Sequence, residues 1–316
     1  MKVLVTGADG FVGSLLVKRL AEHGHEITGA VRPSPTTSEE LARREALGDM
    51  PTIPLELQDP DSIDRTIRQN WDAVIHMAAV SSGSEAQKDP MKAWEINALG
   101  TARLAHGLGQ AKVAGGDPLF FFVSTAEVYG AGSEKIRVET DPVRPLSPYA
   151  GSKLAAEVAC MEVHRRTGLR VVVARPFPHI GPGQDTRFVV PAFLERIRLA
   201  KKINAPVVKV GRIDPVRDFT HVADVVMAYT LLIEAGRPGE IYNVACGNAT
   251  SVRDLFFMLS DALEHRVIPE EDPDLIRPVD IPYLVGDSTK LRNQTGWEPA
   301  IPLEQTIREI VDAEAN

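Results

Sequence analysis

The sequence predicts an α/β protein with a doubly wound parallel sheet and a smaller C-terminal α/β part. Short apolar runs alternate with helical patterns up to about Arg175. Strands that are apolar on successive residues are buried on both faces, as in a parallel sheet covered by helices. Beyond Arg175 the pattern loosens, because RPFPHIGPGQDTRF is rich in Pro and Gly. We therefore expect two parts, residues 1–175 and residues 176–316, with the chain crossing between them.

The expected elements follow in order along the chain. The strand candidates are the apolar runs KVLVTG, EITGAVR, DAVIHMAA, FFFVS and RVVVARP. Between these runs, helical periodicity predicts helices at residues 11–23, 62–69, 90–109 and 148–167. In the second part it predicts helices near residues 190–201, 222–234, 252–264 and 303–313.

Composition and charge narrow the classes of function. The chain has 316 residues, of which 44% are hydrophobic and 25% charged, as in an ordinary globular protein. The formal net charge of -8 argues against a nucleic-acid partner. No apolar run approaches the roughly 18 residues of a membrane span, and a strand follows Met1 at once, so we expect a cytoplasmic protein without a membrane partner. Cys160 and Cys246 lack the spacing of metal ligands, which predicts two buried thiols and no metal site.

A glycine-rich loop follows the first predicted strand. The segment TGADGFVG places Gly7, Gly10 and Gly13 where the backbone turns tightly and approaches a pyrophosphate at a helix N-terminus. Three glycines also fit a connection without a ligand, but the strand before and the helix after favour dinucleotide binding. The first part is therefore expected to be a Rossmann-type domain.

The end of the second predicted strand indicates which dinucleotide is bound. Arg32 stands where an NAD site usually carries an acidic residue for the ribose diol. An arginine can pair with a 2′-phosphate, which a carboxylate would repel. NADP(H) is therefore the expected cofactor, with NAD(H) possible, and a solvated surface arginine is the alternative.

Tyr149 and Lys153 are four residues apart on a predicted helix, so their side chains share one face. A phenol has an ordinary pKa of about 10 and needs a nearby cation to act as an acid or base near neutral pH. Lys153 supplies that cation. An exposed helix pair without consequence is the alternative, which the glycine loop makes the poorer one.

Several motifs occur in the order found in one known family. The glycine pattern is followed by HMAA, EINALGT, VSTAEVYG, YAGSK and RPF. Over essentially its whole length the sequence resembles the extended short-chain dehydrogenase/reductases that act on nucleotide sugars. The resemblance implies that Tyr149 is the catalytic acid/base, that Lys153 is its partner and holds the nicotinamide ribose, and that Thr125 hydrogen-bonds the reacting sugar oxygen. Ser124 is a possible substitute for Thr125.

The same resemblance implies the contacts of both ligands. Asn97 matches an Asn that supports the site in the family, although a polar bond within its own helix is an equal interpretation. The implied cofactor contacts are Gly7, Gly10, Phe11, Val12, Gly13, Arg32, Ala78, Ala79, Tyr149, Lys153 and Pro176. The implied substrate contacts are Ser124, Thr125, Glu127, Phe188, Val189, Val210, Arg217 and Arg277.

The C-terminal half narrows the implied substrate. The segments RPFPHIGPGQ, APVVKVG, VRDFTHVADVV and IRPVDIPYLVGDSTKLRNQTGWEP look most like the reductases of GDP-4-dehydro-6-deoxy-mannose. They look somewhat less like the GDP-mannose 4,6-dehydratases. Arg217 and Arg277 would then grip the nucleotide diphosphate. A structural ion pair of Arg217 with Asp218 or Asp224 is the alternative.

The implied activity is an NADPH-dependent reduction of the C4 ketone of a nucleotide-linked 4-keto-6-deoxy sugar, with GDP-4-dehydro-6-deoxy-D-mannose as the expected substrate. A 4,6-dehydratase or a 4-epimerase is the alternative among enzymes. An NADP-binding redox sensor is the alternative outside enzymes, but it would not need Thr125, Tyr149 and Lys153 together. The resemblance also implies a homodimer formed through residues 90–109 and 148–167.

Two positions complicate the substrate assignment. The dehydratases carry a Glu at the position of Glu127 that helps to remove the C5 proton and expel water from C6. The reductases also carry an acidic residue there, and a carboxylate that only orders the loop is a further interpretation. Pro178 stands where the family has an Asn that touches the sugar nucleotide, and proline cannot donate a hydrogen bond. His179 and His221 are expected to be packing or surface histidines.

Overall fold

The structure, a computed structural model, describes residues 1–35, 37–132, 134–276 and 280–313, and only the backbone of Glu39. Its strands are β1 (Lys2–Thr6), β2 (Glu26–Val31), β3 (Thr52–Pro54), β4 (Ala73–His76), β5 (Leu119–Val123), β6 (Arg170–Pro176), β7 (His179–Ile180), β8 (Val207–Val210), β9 (Val216–Arg217), β10 (Thr220–His221), β11 (Glu240–Val244), β12 (Thr250–Ser251), β13 (Ile268–Glu271) and β14 (Tyr283–Leu284).

The helices alternate with these strands. They are α1 (Phe11–Glu22), α2 (Ser38–Glu45), α3 (Pro60–Ile67), α4 (Gly83–Lys88), α5 (Pro90–Ala93), α6 (Thr101–Val113), α7 (Pro148–Thr167), α8 (Val189–Ile203), α9 (Val222–Ala235), α10 (Val252–Ala262), α11 (Thr289–Thr295) and α12 (Leu303–Ala313). A π-helix, Trp94–Gly100, joins α5 to α6, and short 3₁₀ turns cover Ala126–Tyr129 and Pro273–Leu275.

A seven-stranded parallel sheet forms the centre, in the order β11-β6-β5-β4-β1-β2-β3. One face packs on α1 and α9 through Leu16, Leu20, Val225 and Leu232, and the other packs on α6 and α7 through Leu104, Leu108 and Ala156. The predicted doubly wound α/β fold is therefore confirmed. All seven strands run in the same direction, so their carboxyl ends meet at one edge of the sheet.

Helix α7 shows why its predicted bounds agree with the structure. The Ser147 side chain accepts a hydrogen bond from the backbone N–H of Ala150, Pro148 occupies the first turn, and Gly168 ends the helix with a left-handed φ of 74°. Each of these residues suits its position for a local steric or hydrogen-bonding reason. Since the helix is fixed at both ends, the register of Tyr149 and Lys153 on it is fixed as well.

The structure differs from the prediction at several elements of the large sheet and of the helices around it. The single helix expected at residues 90–109 is wrong, because the backbone widens into the π-helix Trp94–Gly100 between α5 and α6. The sheet also contains β3 and β11, which were not expected as strands. Helix α2 was likewise missed, since its sequence SEELARRE is highly polar.

The second part is small and has its own core between α8, α10 and α12. The strands β12, β9 and β14 form one small sheet, and β13 pairs with β8 in another. Between these elements the chain returns to the large sheet, where α9 packs on α1 and β11 pairs with β6. A cleft separates the second part from the carboxyl ends of the large sheet.

The structure also bears on thiols, membrane helices and metal ligands. Cys160 is buried, but Cys246 is only half-buried, so the expectation of two buried thiols is wrong for the second. Throughout the described residues, no helix is long and apolar enough to cross a membrane. Over the same residues, no cluster of His, Cys, Asp or Glu side chains has an arrangement that could hold a metal ion.

Candidate active site

The cleft between the two parts has a volume of about 660 Å³. It follows the carboxyl ends of the parallel strands, which is where ligands bind in doubly wound sheets. All eleven of the expected cofactor residues line it, namely Gly7, Gly10, Phe11, Val12, Gly13, Arg32, Ala78, Ala79, Tyr149, Lys153 and Pro176. Chain segments that are far apart in sequence therefore meet in one site.

The glycine loop has no room for side chains. A Cβ on Gly13 would lie 2.0 Å from the carbonyl oxygen of Gly7, and Gly7 itself has a left-handed φ of 70°. Gly10 precedes α1 without any side-chain cap, and the first turn of α1 carries no acidic residue. The N–H groups at the start of α1 are thus available to an anion, as a dinucleotide pyrophosphate requires. The residues present fit an NAD(P) cofactor.

The end of β2 carries both signs of charge. The Arg32 side chain is about half-exposed and its Nε donates to Glu40 Oε1 at 3.2 Å. Glu40 is buried, and Arg44 lies 3.7 Å from it while pairing with Asp9 at 2.6 Å. A 2′-phosphate here would meet guanidinium groups, whereas a ribose diol would meet a carboxylate. The geometry therefore allows both NADP(H) and NAD(H).

Tyr149, the expected proton donor, lines the cleft. Burial raises the pKa of Tyr149 far above its ordinary value, and the nearby Glu127 charge adds to this rise. A hydrogen-bonding interaction with the Thr125 side chain partly opposes it. Thr125 also accepts a hydrogen bond from the backbone N–H of Glu127 at 3.2 Å, which fixes the loop. Tyr149 therefore keeps its proton at neutral pH and can donate it.

Lys153 is buried one helical turn beyond Tyr149. Its Nζ lies 4.4 Å from the centre of the Phe122 ring, over the ring face. Burial lowers the pKa of Lys153 to about 8, against opposing effects of Cys160 and Glu157. Burial of the phenol, and not the charge of Lys153, is the largest influence on the pKa of Tyr149.

A buried ion pair supports this wall of the cleft. The Arg175 guanidinium donates to both carboxylate oxygens of Glu157, at 3.0 and 2.6 Å. The Ser124 hydroxyl also donates to Glu157. Ser124 lines the cleft, but its hydroxyl is occupied, so Thr125 is the better placed of the two hydroxyls for a ligand. Sequence reasoning missed Glu157, although it follows Lys153 by one helical turn.

Asn97 connects the π-helix to α7. Its side-chain oxygen accepts from the Val80 N–H at 2.8 Å, and its nitrogen donates to the Val80 carbonyl and to Ser152 Oγ, both at 3.1 Å. Ser152 precedes Lys153. These bonds lie outside its own helix, so the interpretation as a bond within the helix is wrong.

The second part forms the opposite wall of the cleft. Phe188, Val189 and Arg217 line it as expected, together with Ser124, Thr125 and Glu127 from the first part. Val210 does not line it: the alternating burial of β8 turns this side chain into the core, and the following Gly211 and Arg212 line the cleft instead. The expected contact of Val210 is therefore wrong. Arg277 lies outside the described residues.

Arg217 is held by a partner that the sequence did not indicate. Its Nη2 donates to Asp280 Oδ1 at 2.6 Å, and its Nη1 donates to the Ile281 carbonyl at 2.6 Å. Pairing with Asp218 or Asp224 is wrong, because Asp218 accepts from the loop N–H groups of Cys246, Gly247 and Gly286, and Asp224 accepts from the Ile301 N–H. The guanidinium is thereby oriented at the cleft wall.

Other cationic residues of the cleft were missed by sequence reasoning. They are Arg43, Lys92, Arg187, Arg196 and Arg212. They lie on separate loops and helices without a recognisable spacing, so only the fold brings them together. Pro178 lines the cleft too, and its carbonyl accepts from the Thr220 N–H at 3.0 Å. His179 stacks on Phe11, with ring centres 6.4 Å apart, and His221 caps α9.

This fold and this cleft define an NAD(P)-dependent oxidoreductase of the extended short-chain dehydrogenase/reductase class. The sequence profile of the family described as GDP-mannose 4,6 dehydratase matches residues 4–310. The chain belongs to this family.

The relatives of this chain differ from one another in activity. The chain is 36% identical over 315 residues to GDP-6-deoxy-D-mannose reductase of Pseudomonas aeruginosa, covering 98% of this chain and 96% of that one. The structure of RMD from Pseudomonas aeruginosa complexed with NADPH has a TM-score of 0.79 at 34% identity, covering 99% and 98% of the two chains. Thermus thermophilus UDP-glucose 4-epimerase in complex with NAD has a TM-score of 0.86 at 30% identity, covering 100% and 99%.

Proposed function

We propose that this protein reduces the C4 ketone of a nucleotide-linked 4-keto-6-deoxy sugar with NADPH, and that the substrate is GDP-4-dehydro-6-deoxy-D-mannose. The observation that carries the proposal is the placement of Tyr149 beside the Thr125 hydroxyl, in a cleft that also contains the glycine loop. A phenol that keeps its proton at neutral pH is suited to donate it, as reduction of a ketone requires.

The residues have separate tasks in this reaction. NADPH, when bound, supplies the hydride that C4 accepts. Tyr149 donates its proton to the ketone oxygen, and Thr125 orients that oxygen. Lys153 holds the nicotinamide ribose, and its charge stabilises the phenolate that remains. Its pKa of about 8 keeps the amine mostly charged at neutral pH.

The substrate assignment is supported by charge and by similarity. Arg217 is oriented at the cleft wall by Asp280, and Arg187, Arg196 and Arg212 add positive charge for a diphosphate. The relative from Pseudomonas aeruginosa acts on a GDP-linked 6-deoxy sugar by its name. Glu127 beside Tyr149 favours a second candidate, a 4,6-dehydratase, because that reaction needs a base near C5.

One pair of assays tests the proposal. We expect NADPH oxidation with GDP-4-dehydro-6-deoxy-D-mannose, and no formation of a 4-keto-6-deoxy product from GDP-mannose. Both reactions are measured on the same preparation of wild type and of Glu127→Gln. A ketosugar product from GDP-mannose that disappears in Glu127→Gln identifies a dehydratase and overturns the proposal. Turnover of UDP-glucose to UDP-galactose with neither of these reactions identifies a 4-epimerase.

We further propose that NADPH is preferred over NADH, because Arg32 is placed to pair with a 2′-phosphate. Arg32→Ala is expected to weaken NADPH binding about tenfold or more and NADH binding little, since only NADPH loses a charge-assisted contact. Dissociation constants of both cofactors are compared by titration. The matched variant Glu40→Gln removes the carboxylate and should not weaken NADPH. Equal losses for both cofactors in Arg32→Ala would contradict the preference.

We also propose a homodimer formed through α7 and the π-helix. Trp94 of the π-helix, Val158 of α7 and Leu146, which precedes α7, are large apolar side chains exposed on one surface. Exposed apolar patches of this kind mark protein interfaces. Light scattering should give about twice the chain mass of 34.4 kDa, and the mass of one chain would overturn this proposal.

A further inference from the structure

Tyr229 has a buried hydroxyl group without a hydrogen-bond partner. It lies on α9, its side chain is 1% exposed, and its ring packs edge-on against Phe121 with ring centres 5.4 Å apart. Within residues 1–35, 37–132, 134–276 and 280–313, nothing donates to or accepts from its oxygen. The catalytic scheme above makes no use of this residue.

The other buried tyrosines show that this is unusual. The Tyr129 hydroxyl donates to Asn243 Oδ1 at 2.7 Å, and the Tyr242 hydroxyl accepts from the Arg237 N–H at 3.1 Å. Most buried polar groups are satisfied in this way, because an unsatisfied one loses its bonds to water and gains none in return. A phenol that the fold leaves unsatisfied is well explained by a partner that arrives with a ligand.

The position of Tyr229 indicates which ligand supplies that partner. The residue lines the cleft, and it is near enough to Tyr149 for a charge there to affect its own pKa. The partly buried side chains of Val12, Met77 and Val123 pack against the core cluster that contains Tyr229, and they line the cleft as well. This is an apolar floor beside the proton donor, where a flat nicotinamide ring fits. The carboxamide is the only polar substituent of that ring.

The Tyr229 hydroxyl meets the carboxamide as a neutral group and not as a phenolate. Burial raises the pKa of Tyr229 far above its ordinary value, so the phenol stays protonated. A carboxamide oxygen accepts a hydrogen bond from a neutral hydroxyl without any charge being buried.

We propose that the Tyr229 hydroxyl donates a hydrogen bond to the carboxamide oxygen of the bound nicotinamide, and thereby sets the orientation of the ring above the cleft floor. This inference rests on the cofactor occupying the cleft and is independent of which sugar nucleotide is turned over. Tyr229 would be a cofactor-binding residue contributed by a helix that follows the Pro- and Gly-rich segment.

The test uses Tyr229→Phe and two probes, NADP(H) and 2′-phospho-ADP-ribose, which lacks the nicotinamide. We expect the variant to bind NADP⁺ and NADPH about five- to tenfold more weakly, because one ordinary hydrogen bond is lost. It should bind 2′-phospho-ADP-ribose with the affinity of wild type. Calorimetric titration gives both constants. Without ligand, the Tm of Tyr229→Phe should be unchanged or higher, because the variant removes an unsatisfied group.

Tyr242→Phe is the matched control, since its hydroxyl has a protein partner away from the cleft. It should lower the Tm without ligand and leave both affinities unchanged. The inference is overturned if Tyr229→Phe binds NADP(H) like wild type, if it weakens both probes equally, or if it weakens only the sugar nucleotide. If wild type binds neither probe, the cofactor assignment itself fails, together with this inference.

Discussion

Tyr149→Phe is expected to lower turnover by about a hundredfold to ten-thousandfold, the usual contribution of a positioned general acid. The ring and its packing remain, so NADPH should bind with an affinity close to that of wild type. Steady-state rates of NADPH oxidation and a separate titration of the cofactor distinguish the two effects. The expectation follows from the phenol being protonated at neutral pH, since burial and the Glu127 charge raise its pKa above an ordinary value of about 10.

Two results would contradict this role. Turnover close to that of wild type would remove Tyr149 from the mechanism, and an equal loss of NADPH affinity would make it a binding residue instead. Thr125→Val is a useful companion, because it keeps the shape of the side chain and removes the hydroxyl that interacts with Tyr149. It should reduce turnover less than Tyr149→Phe, since the proton donor remains.

Glu157→Ala is expected to lower the free energy of unfolding by about 3–5 kcal/mol, because it leaves the Arg175 guanidinium buried without its counter-ion. Both side chains are almost fully buried, at 3% and 5% exposure, and they share two hydrogen bonds. The Ser124 hydroxyl loses its acceptor in the same variant. Urea unfolding of variant and wild type measures the difference.

The surface pair Glu162–Arg166 provides the control for this stability prediction. It has the same charges, but both side chains are about half-exposed, so Glu162→Ala should leave the free energy of unfolding nearly unchanged. If the two variants are equally stable, the buried pair does not support the cleft wall. A double variant, Glu157→Leu with Arg175→Met, should recover part of the loss, since no charge is then left unpaired.

Sequence patterns over a few residues correctly predicted the strands and helix ends that depend on those residues alone. The five predicted apolar strands of the sheet and the caps of α7 are fixed by residues within a few positions. The strand β3 was missed because it is only three residues long, lies at the sheet edge and ends in Pro54. The strand β11 was missed because its interior includes Asn243, which is buried only because Tyr129 and a distant loop satisfy its side chain.

In the candidate site, too, the features set by neighbouring residues were predicted and those set by distant residues were missed. The glycine loop and the Tyr149–Lys153 pair are short-range patterns, and the structure brings them together in one cleft. The partner of Arg217 is 63 residues away at Asp280, so no local pattern could indicate it. Tyr229 stands within VADVVMAYTLLIEA, where an aromatic residue resembles ordinary core, and only its unsatisfied hydroxyl distinguishes it. The cytoplasmic location, the dimer and the roles of the individual site residues stay predictions.

The return of the chain to the large sheet affects how the protein can be divided. Strand β11 covers the outer edge of β6, whose residues from Val171 to Ala174 are fully buried. A fragment ending near residue 175 would expose that edge as a row of unpaired N–H and C=O groups flanked by valines, a template for intermolecular pairing and aggregation. The boundary near residue 175 therefore does not separate two independently folding units. For expression or domain exchange, the whole chain is the smallest practical unit.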